Sequence, residues 1–131
     1  MLLYLCRHAD ASPGEPDELR ELTPVGLEQA RALGASLAAL PQPPRLVVTS
    51  PLLRARQTGA ELARATGAAI RVEEALAPGA NADTLSEALA TDDGPVAAVC
   101  HQPDCSEITW ALTGRDPGFP VAGMVELDLV R

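Results

Sequence analysis

Arg7 and His8 stand together directly after the apolar run Leu2-Leu3-Tyr4-Leu5-Cys6. Arg54 follows Arg45-Leu46-Val47-Val48 by way of Thr49-Ser50-Pro51-Leu52-Leu53, and His101 follows Val96-Ala97-Ala98-Val99-Cys100. A guanidinium keeps its charge at any ordinary pH and presents a planar fork of N–H donors. Two of them near helix N-termini suit a phosphoryl group held by bidentate hydrogen bonds. A histidine in the same crevice can attack phosphorus if one ring nitrogen is unprotonated and the other N–H is held, commonly by a backbone carbonyl. His101 would then be a further donor to the equatorial oxygens, more effective if protonated, because the transition state spreads charge over them.

Such chemistry requires three strand ends to meet. Apolar runs of four to six residues without polar alternation read as buried strands of a parallel sheet, and ligand crevices in such sheets lie at the carboxyl ends. The chain reads as strands at Met1–Cys6, Arg45–Thr49, Ala69–Val72 and Pro95–Cys100, with an edge strand near Met124–Val130. Helical spacing of Leu27, Ala30, Leu33, Gly34, Leu37 and Leu40 predicts a helix opened by Thr23-Pro24 as cap and first-turn proline. Ser50-Pro51 repeats that device for a helix reaching Thr66-Gly67, and capping accounts for both residues without a catalytic role. Asp83 caps a short third helix, and Gln102-Pro103 begins a fourth that ends at Gly114. Asp10–Leu22 and Glu73–Ala82 read as loops, the first able to wall the site. Alternating strands and helices give an α/β/α sandwich around a mostly parallel sheet, in one domain spanning residues 1–131.

Composition narrows the partners. A net charge of −8 and one each of Phe, Trp and Tyr argue against nucleic acid, which would be repelled and would find no stacking surface. No apolar stretch approaches the roughly 20 residues that cross a bilayer, and no basic segment precedes a cleavable apolar one. The chain therefore reads as cytoplasmic, without a membrane partner. Cys6, Cys100 and Cys105 fit no CxxC pattern and read as reduced, buried thiols. Metal ligation by His8, Asp10, Cys100 and His101 is the rival use of these residues. It is disfavoured because two arginines would repel the cation, so no metal and no cofactor is expected. Oligomeric state has no signature in the sequence.

Leu5-Cys6-Arg7-His8-Ala9-Asp10, Thr49-Ser50-Pro51-Leu52-Leu53-Arg54-Ala55-Arg56-Gln57-Thr58 and Val99-Cys100-His101 resemble, in that order, the signature segments of the histidine phosphatase superfamily, the phosphoglycerate mutase-like fold. The middle segment carries the pattern S-P-x-x-R-A-x-Q-T throughout. The short length, with no helical cap insertion, is similar to the small SixA-type phosphohistidine phosphatases. The resemblance implies a metal-independent phosphatase with His8 as the phosphorylated nucleophile and Arg7, Arg54 and His101 as the phosphate pocket. Its substrate would be a phosphorylated protein, phosphohistidine above all, or a small phosphate ester. Ala9 stands where glycine is usual, and Cys100 stands where a smaller residue is common and would narrow the pocket or add an oxidisable thiol. The insertion that carries the acidic proton donor of larger members is missing. Glu74 and Asp10 are the candidates for that role, and an imidazole leaving group needs less help than an alkoxide.

Overall fold

The computed structural model describes residues 1–130. Five strands, β1 (Leu2–Arg7), β2 (Leu46–Thr49), β3 (Ala69–Val72), β4 (Val96–Cys100) and β5 (Met124–Asp128), form one sheet in the order β3-β2-β4-β1-β5. β1, β2, β3 and β4 run parallel, and β5 closes one edge antiparallel to β1. All five residues of β4 are buried, as a central parallel strand covered on both faces requires.

The pleat divides those residues between two cores. Tyr4, Cys6, Val47, Ala97 and Val99 face α1 (Pro24–Ala38) and α2 (Leu53–Thr66), where they meet Leu33, Leu37, Ala55 and Leu62. Leu3, Leu5, Val48, Val96, Ala98 and Cys100 face α3 (Ala82–Ala88) and α4 (Asp104–Thr113), against Leu85, Cys105 and Ile108. The expected α/β/α layering is therefore present. No helix among the described residues is long and apolar enough to cross a membrane.

Several boundaries depart from the sequence reading. Thr23 caps α1 as expected, accepting from the Gly26 amide. Ser50 does not cap α2: a turn through Pro51 delays the helix to Leu53, and the Ser50 hydroxyl is engaged elsewhere. α3 is capped by Asn81 in a reciprocal capping box with Thr84, not by Asp83, which lies inside the first turn. α4 begins at Asp104, after Gln102-Pro103. The two loops each contain a 3-10 turn, at Asp17–Leu19 and Glu74–Leu76, and Ala11 bridges to Leu22 at the neck of the first.

Candidate active site

β1 delivers His8 one residue past its end, and a dense set of backbone bonds fixes the segment. The His8 amide donates to the Cys100 carbonyl at 3.1 Å, and the His8 carbonyl accepts from the Ala122 amide at 3.0 Å. The Ala9 amide donates to Thr58 Oγ1 on α2, and the Asp10 carbonyl accepts from the Thr23 amide at the start of α1. Gly26 makes this approach possible, since a Cβ there would collide with the Asp10 carbonyl.

The His8 ring has a defined tautomer. Its Nδ1 lies 2.7 Å from the Ala9 carbonyl oxygen, which can only accept, so Nδ1 carries the hydrogen and the neutral ring keeps its lone pair on Nε2. Burial, and then the positive charges of Arg54, Arg7 and Arg20, push the imidazole below its ordinary value, outweighing the Ala9 hydrogen bond. The ring is thus a neutral base with a free nitrogen.

His101 leaves β4 and lies beside it, with ring centroids 5.2 Å apart. Its Nε2 is 2.7 Å from Ser50 Oγ, which also accepts from the Leu52 amide. The Ser50 O–H is therefore available to donate to Nε2, leaving the hydrogen of the imidazole on Nδ1, a buried atom with no partner. Burial, His8 and Arg54 together push His101 down to about 3, with Arg7 adding to the effect and Asp17 opposing it. A protonated His101 would be the stronger donor to the equatorial oxygens. The structure holds it neutral, able to donate through Nδ1–H without carrying charge.

Arg54 lies in the first turn of α2, as the sequence expects, and is buried. Its Nη1 donates to the Asp17 carbonyl at 2.9 Å and its Nη2 to Asp17 Oδ2 at 3.2 Å. Arg7 Nη1 donates to the Phe119 carbonyl at 2.9 Å, which ties the arginine to the segment before β5. Among the described residues the buried side-chain polar atoms without a partner are Arg7 Nε, Arg54 Nε, His101 Nδ1 and Thr49 Oγ1. A buried donor left unpaired costs about 1–3 kcal/mol. Three such donors lie on three of the four candidate site residues, and N–H donors of this kind can bind an oxyanion.

The structure thus brings Arg7, His8, Arg54 and His101 together and adds residues that sequence reasoning missed. Ser50 and Thr58 belong to the same signature segment as Arg54, but their hydroxyls read as local caps or helix residues. Asp17 and Arg20 lie in the first loop: Arg20 Nε donates to the Ser12 carbonyl at 2.7 Å and Nη1 to Asp17 Oδ1 at 3.0 Å. Glu74 is exposed at the start of its 3-10 turn, just beyond β3 and hence at the same rim, with no hydrogen bond to the four site residues. Asp10 Oδ2 accepts from Thr23 Oγ1 at 2.7 Å, so its carboxylate anchors the loop to α1. Cys100 does not narrow the site: it turns into the core with its Sγ 3.4 Å from that of Cys105. Surface hollows of about 390 Å³ between α1 and α2 and about 440 Å³ between α4 and β5 are lined by none of the four residues.

The family model of the histidine phosphatase superfamily (branch 1) matches residues 3–78. An uncharacterised protein of Picosynechococcus is 35% identical over 139 residues, spanning 97% of this chain and 84% of the relative. A crystal structure from Agrobacterium tumefaciens, assigned as phosphohistidine phosphatase SixA, superposes with a TM-score of 0.83 at 31% identity, over 97% of this chain and 90% of that one. A second such structure, from Nakamurella, gives a TM-score of 0.76 at 31% identity, over 95% and 83%.

Proposed function

The chain belongs to the histidine phosphatase superfamily, and from that premise we propose that it hydrolyses protein phosphohistidine through a covalent phosphoryl intermediate on His8. The observation that carries the reading is the pairing of a neutral His8, its Nε2 lone pair free, with three unpartnered buried donors on Arg7, Arg54 and His101. Nucleophile and anion ligands are what a phosphoryl transfer needs, and the reaction calls on neither metal nor cofactor.

The chemistry follows in two displacements. Nε2 of His8 attacks phosphorus, the bond from phosphorus to the leaving atom breaks, the two arginines offset the charge on the equatorial oxygens and His101 Nδ1–H donates to them. Water then attacks the phosphoryl group on His8, the bond from phosphorus to Nε2 breaks, both protons of the water leave with the product as dihydrogen phosphate, and the His8 lone pair is restored. Nδ1–H, held by the Ala9 carbonyl, keeps the ring aligned through both steps.

Leaving-group chemistry favours phosphohistidine as substrate. An imidazole already protonated on its far nitrogen departs without a proton from the enzyme, whereas an alkoxide needs one. Glu74, at the rim beyond β3, is the residue we assign to that proton for an ester substrate. A small phosphomonoester is accordingly the second reading, and Glu74→Gln separates the two. Loss confined to alkyl phosphates supports the proton-donor role, and equal losses on alkyl and aryl phosphates remove it. The working location is the cytoplasm, which suits three reduced cysteines.

The test is turnover of a phosphohistidine-bearing protein, an aryl phosphate and an alkyl phosphate, each with and without EDTA. EDTA-insensitive hydrolysis, fastest on phosphohistidine, supports the assignment. Binding of phosphate or vanadate without hydrolysis of any of the three contradicts it.

A further inference from the structure

We propose that Asp17, braced by Arg20, is a positioning residue that presents the Nε edge of Arg54 to the phosphoryl oxygens. The inference rests on the phosphatase reading for its consequence, and on the geometry of a guanidinium for its substance. Arg54 has two edges that can bind an anion in bidentate fashion: the terminal edge formed by Nη1 and Nη2, and the side edge formed by Nε and Nη2. Asp17 takes the terminal edge with two different oxygens, its main-chain carbonyl on Nη1 and its carboxylate on Nη2. Two contacts define the plane of the group and leave the side edge, including the buried and unpartnered Nε, for another acceptor.

Asp17 is held in turn. Its other carboxylate oxygen accepts from Arg20 Nη1, and Arg20 Nε is tied to the Ser12 carbonyl across the neck of the same loop. The chain of contacts therefore runs from the loop backbone through Arg20 and Asp17 to Arg54, 37 residues away in sequence. The Asp17 side chain is half exposed and reaches inward to a guanidinium that is 7% exposed. This is the arrangement expected where a buried cation must be both compensated and oriented.

The charge balance favours a partner over a competitor. Arg7, Arg20 and Arg54 bring three positive charges, Asp17 one negative, and the two imidazoles are neutral, so the site carries about +2. A phosphoryl dianion would bring it to neutrality. The hydrogen bond from Arg20, and then the charge and hydrogen bond of Arg54, lower the Asp17 carboxyl from its ordinary value, so it stays a carboxylate. Displacement of Asp17 by the substrate would instead leave a half-exposed anion beside the incoming one.

Titration with inorganic phosphate by calorimetry, together with kcat/KM on an aryl phosphate, tests the proposal in Asp17→Ala, Asp17→Asn and Arg20→Ala. Asp17→Ala should weaken phosphate binding about tenfold and lower kcat/KM by a further factor of about ten, because alignment matters most in the transition state. Asp17→Asn, which keeps an acceptor oxygen, should recover most of both, and Arg20→Ala should fall between. Phosphate binding in Asp17→Ala that is unchanged or tighter would overturn the proposal, making Asp17 a competing anion. The Arg54 Nε–H resonance gives a reading independent of catalysis: Asp17→Ala should broaden or average it, and an unaltered resonance overturns the proposal. Wild-type protein that neither binds phosphate nor turns over would sink the phosphatase reading while leaving that resonance to decide Asp17.

Discussion

Ser50 Oγ lies 2.7 Å from His101 Nε2, joining the turn after β2 to the turn after β4 across 51 residues of sequence. The contact decides which imidazole nitrogen faces inward with a hydrogen, and so whether His101 can serve as a neutral donor.

Replacement of Ser50 by alanine should therefore act on chemistry as well as on stability. We expect kcat/KM to fall about tenfold or more, the scale of a misaligned transition-state donor, beside a stability loss of about 1–3 kcal/mol from the Leu52 amide and His101 Nε2 left without the hydroxyl. Were the serine only a local cap, stability would fall with kinetics intact. Steady-state kinetics and thermal denaturation on the same sample distinguish the two outcomes.

The protonation state of His8 sets the pH profile. The free enzyme needs the ring neutral, and burial with the neighbouring arginines holds its pKa below the ordinary 6.5. Activity as kcat/KM should be level through neutrality and decline only on the acid side, below 6.5, once the substrate's own titration is removed. Arg54→Lys keeps a cation and should leave that limb in place, whereas Arg54→Gln removes one and should move it upward. An acid limb at or above pH 7 in the wild type would contradict a buried neutral nucleophile.

Stability should also fall with acid, and the sign follows from His101. Burial, with His8 and Arg54 beside it, pushes its pKa down to about 3 in the folded protein, against 6.5 for an unperturbed imidazole. The unfolded chain thus takes up a proton that the folded one refuses, and stability present above 6.5 is lost progressively as pH falls from there towards 3. Asp17, lowered from 3.8, adds stability that is lost only below that value, outside the upper part of the window. Thermal midpoints measured from pH 7.5 to 4.5 should decline in the wild type and decline less in His101→Asn. Parallel curves for the two proteins would refute the assignment of the effect to His101.

What was legible in the chain, and what was not, follows from how locally each feature is encoded. Val96–Cys100 is apolar throughout and becomes the central strand with every residue buried, so the rim beyond it, where His101 sits, could be read directly. Thr23-Pro24 marked the start of α1 because a hydroxyl cap and a first-turn proline act within four residues. Ser50-Pro51 carries the same local signal, yet its hydroxyl finds a tertiary partner in His101, and the helix starts later. Asp17 and Arg20 sit in a Pro- and Gly-containing loop without periodicity, and the guanidinium that gives Asp17 its meaning is 37 residues away. Only a contact in three dimensions could single them out. Asn81 displaced Asp83 as the cap of α3 for a smaller reason: both are good caps, and Thr84 three residues after Asn81 completes the reciprocal pair.

Catalysis through His8 requires phosphorus to be bonded to its ring during turnover. Rapid acid-free quenching of the enzyme with a labelled phosphoryl donor, followed by peptide mapping, reads that bond out. The prediction is an acid-labile, base-stable phosphoryl group on the peptide containing His8, formed and discharged at rates compatible with kcat and absent from a folded His8→Ala protein that has lost turnover. Turnover at the wild-type rate in His8→Ala, or label found on any residue other than His8, would rule His8 out as the nucleophile.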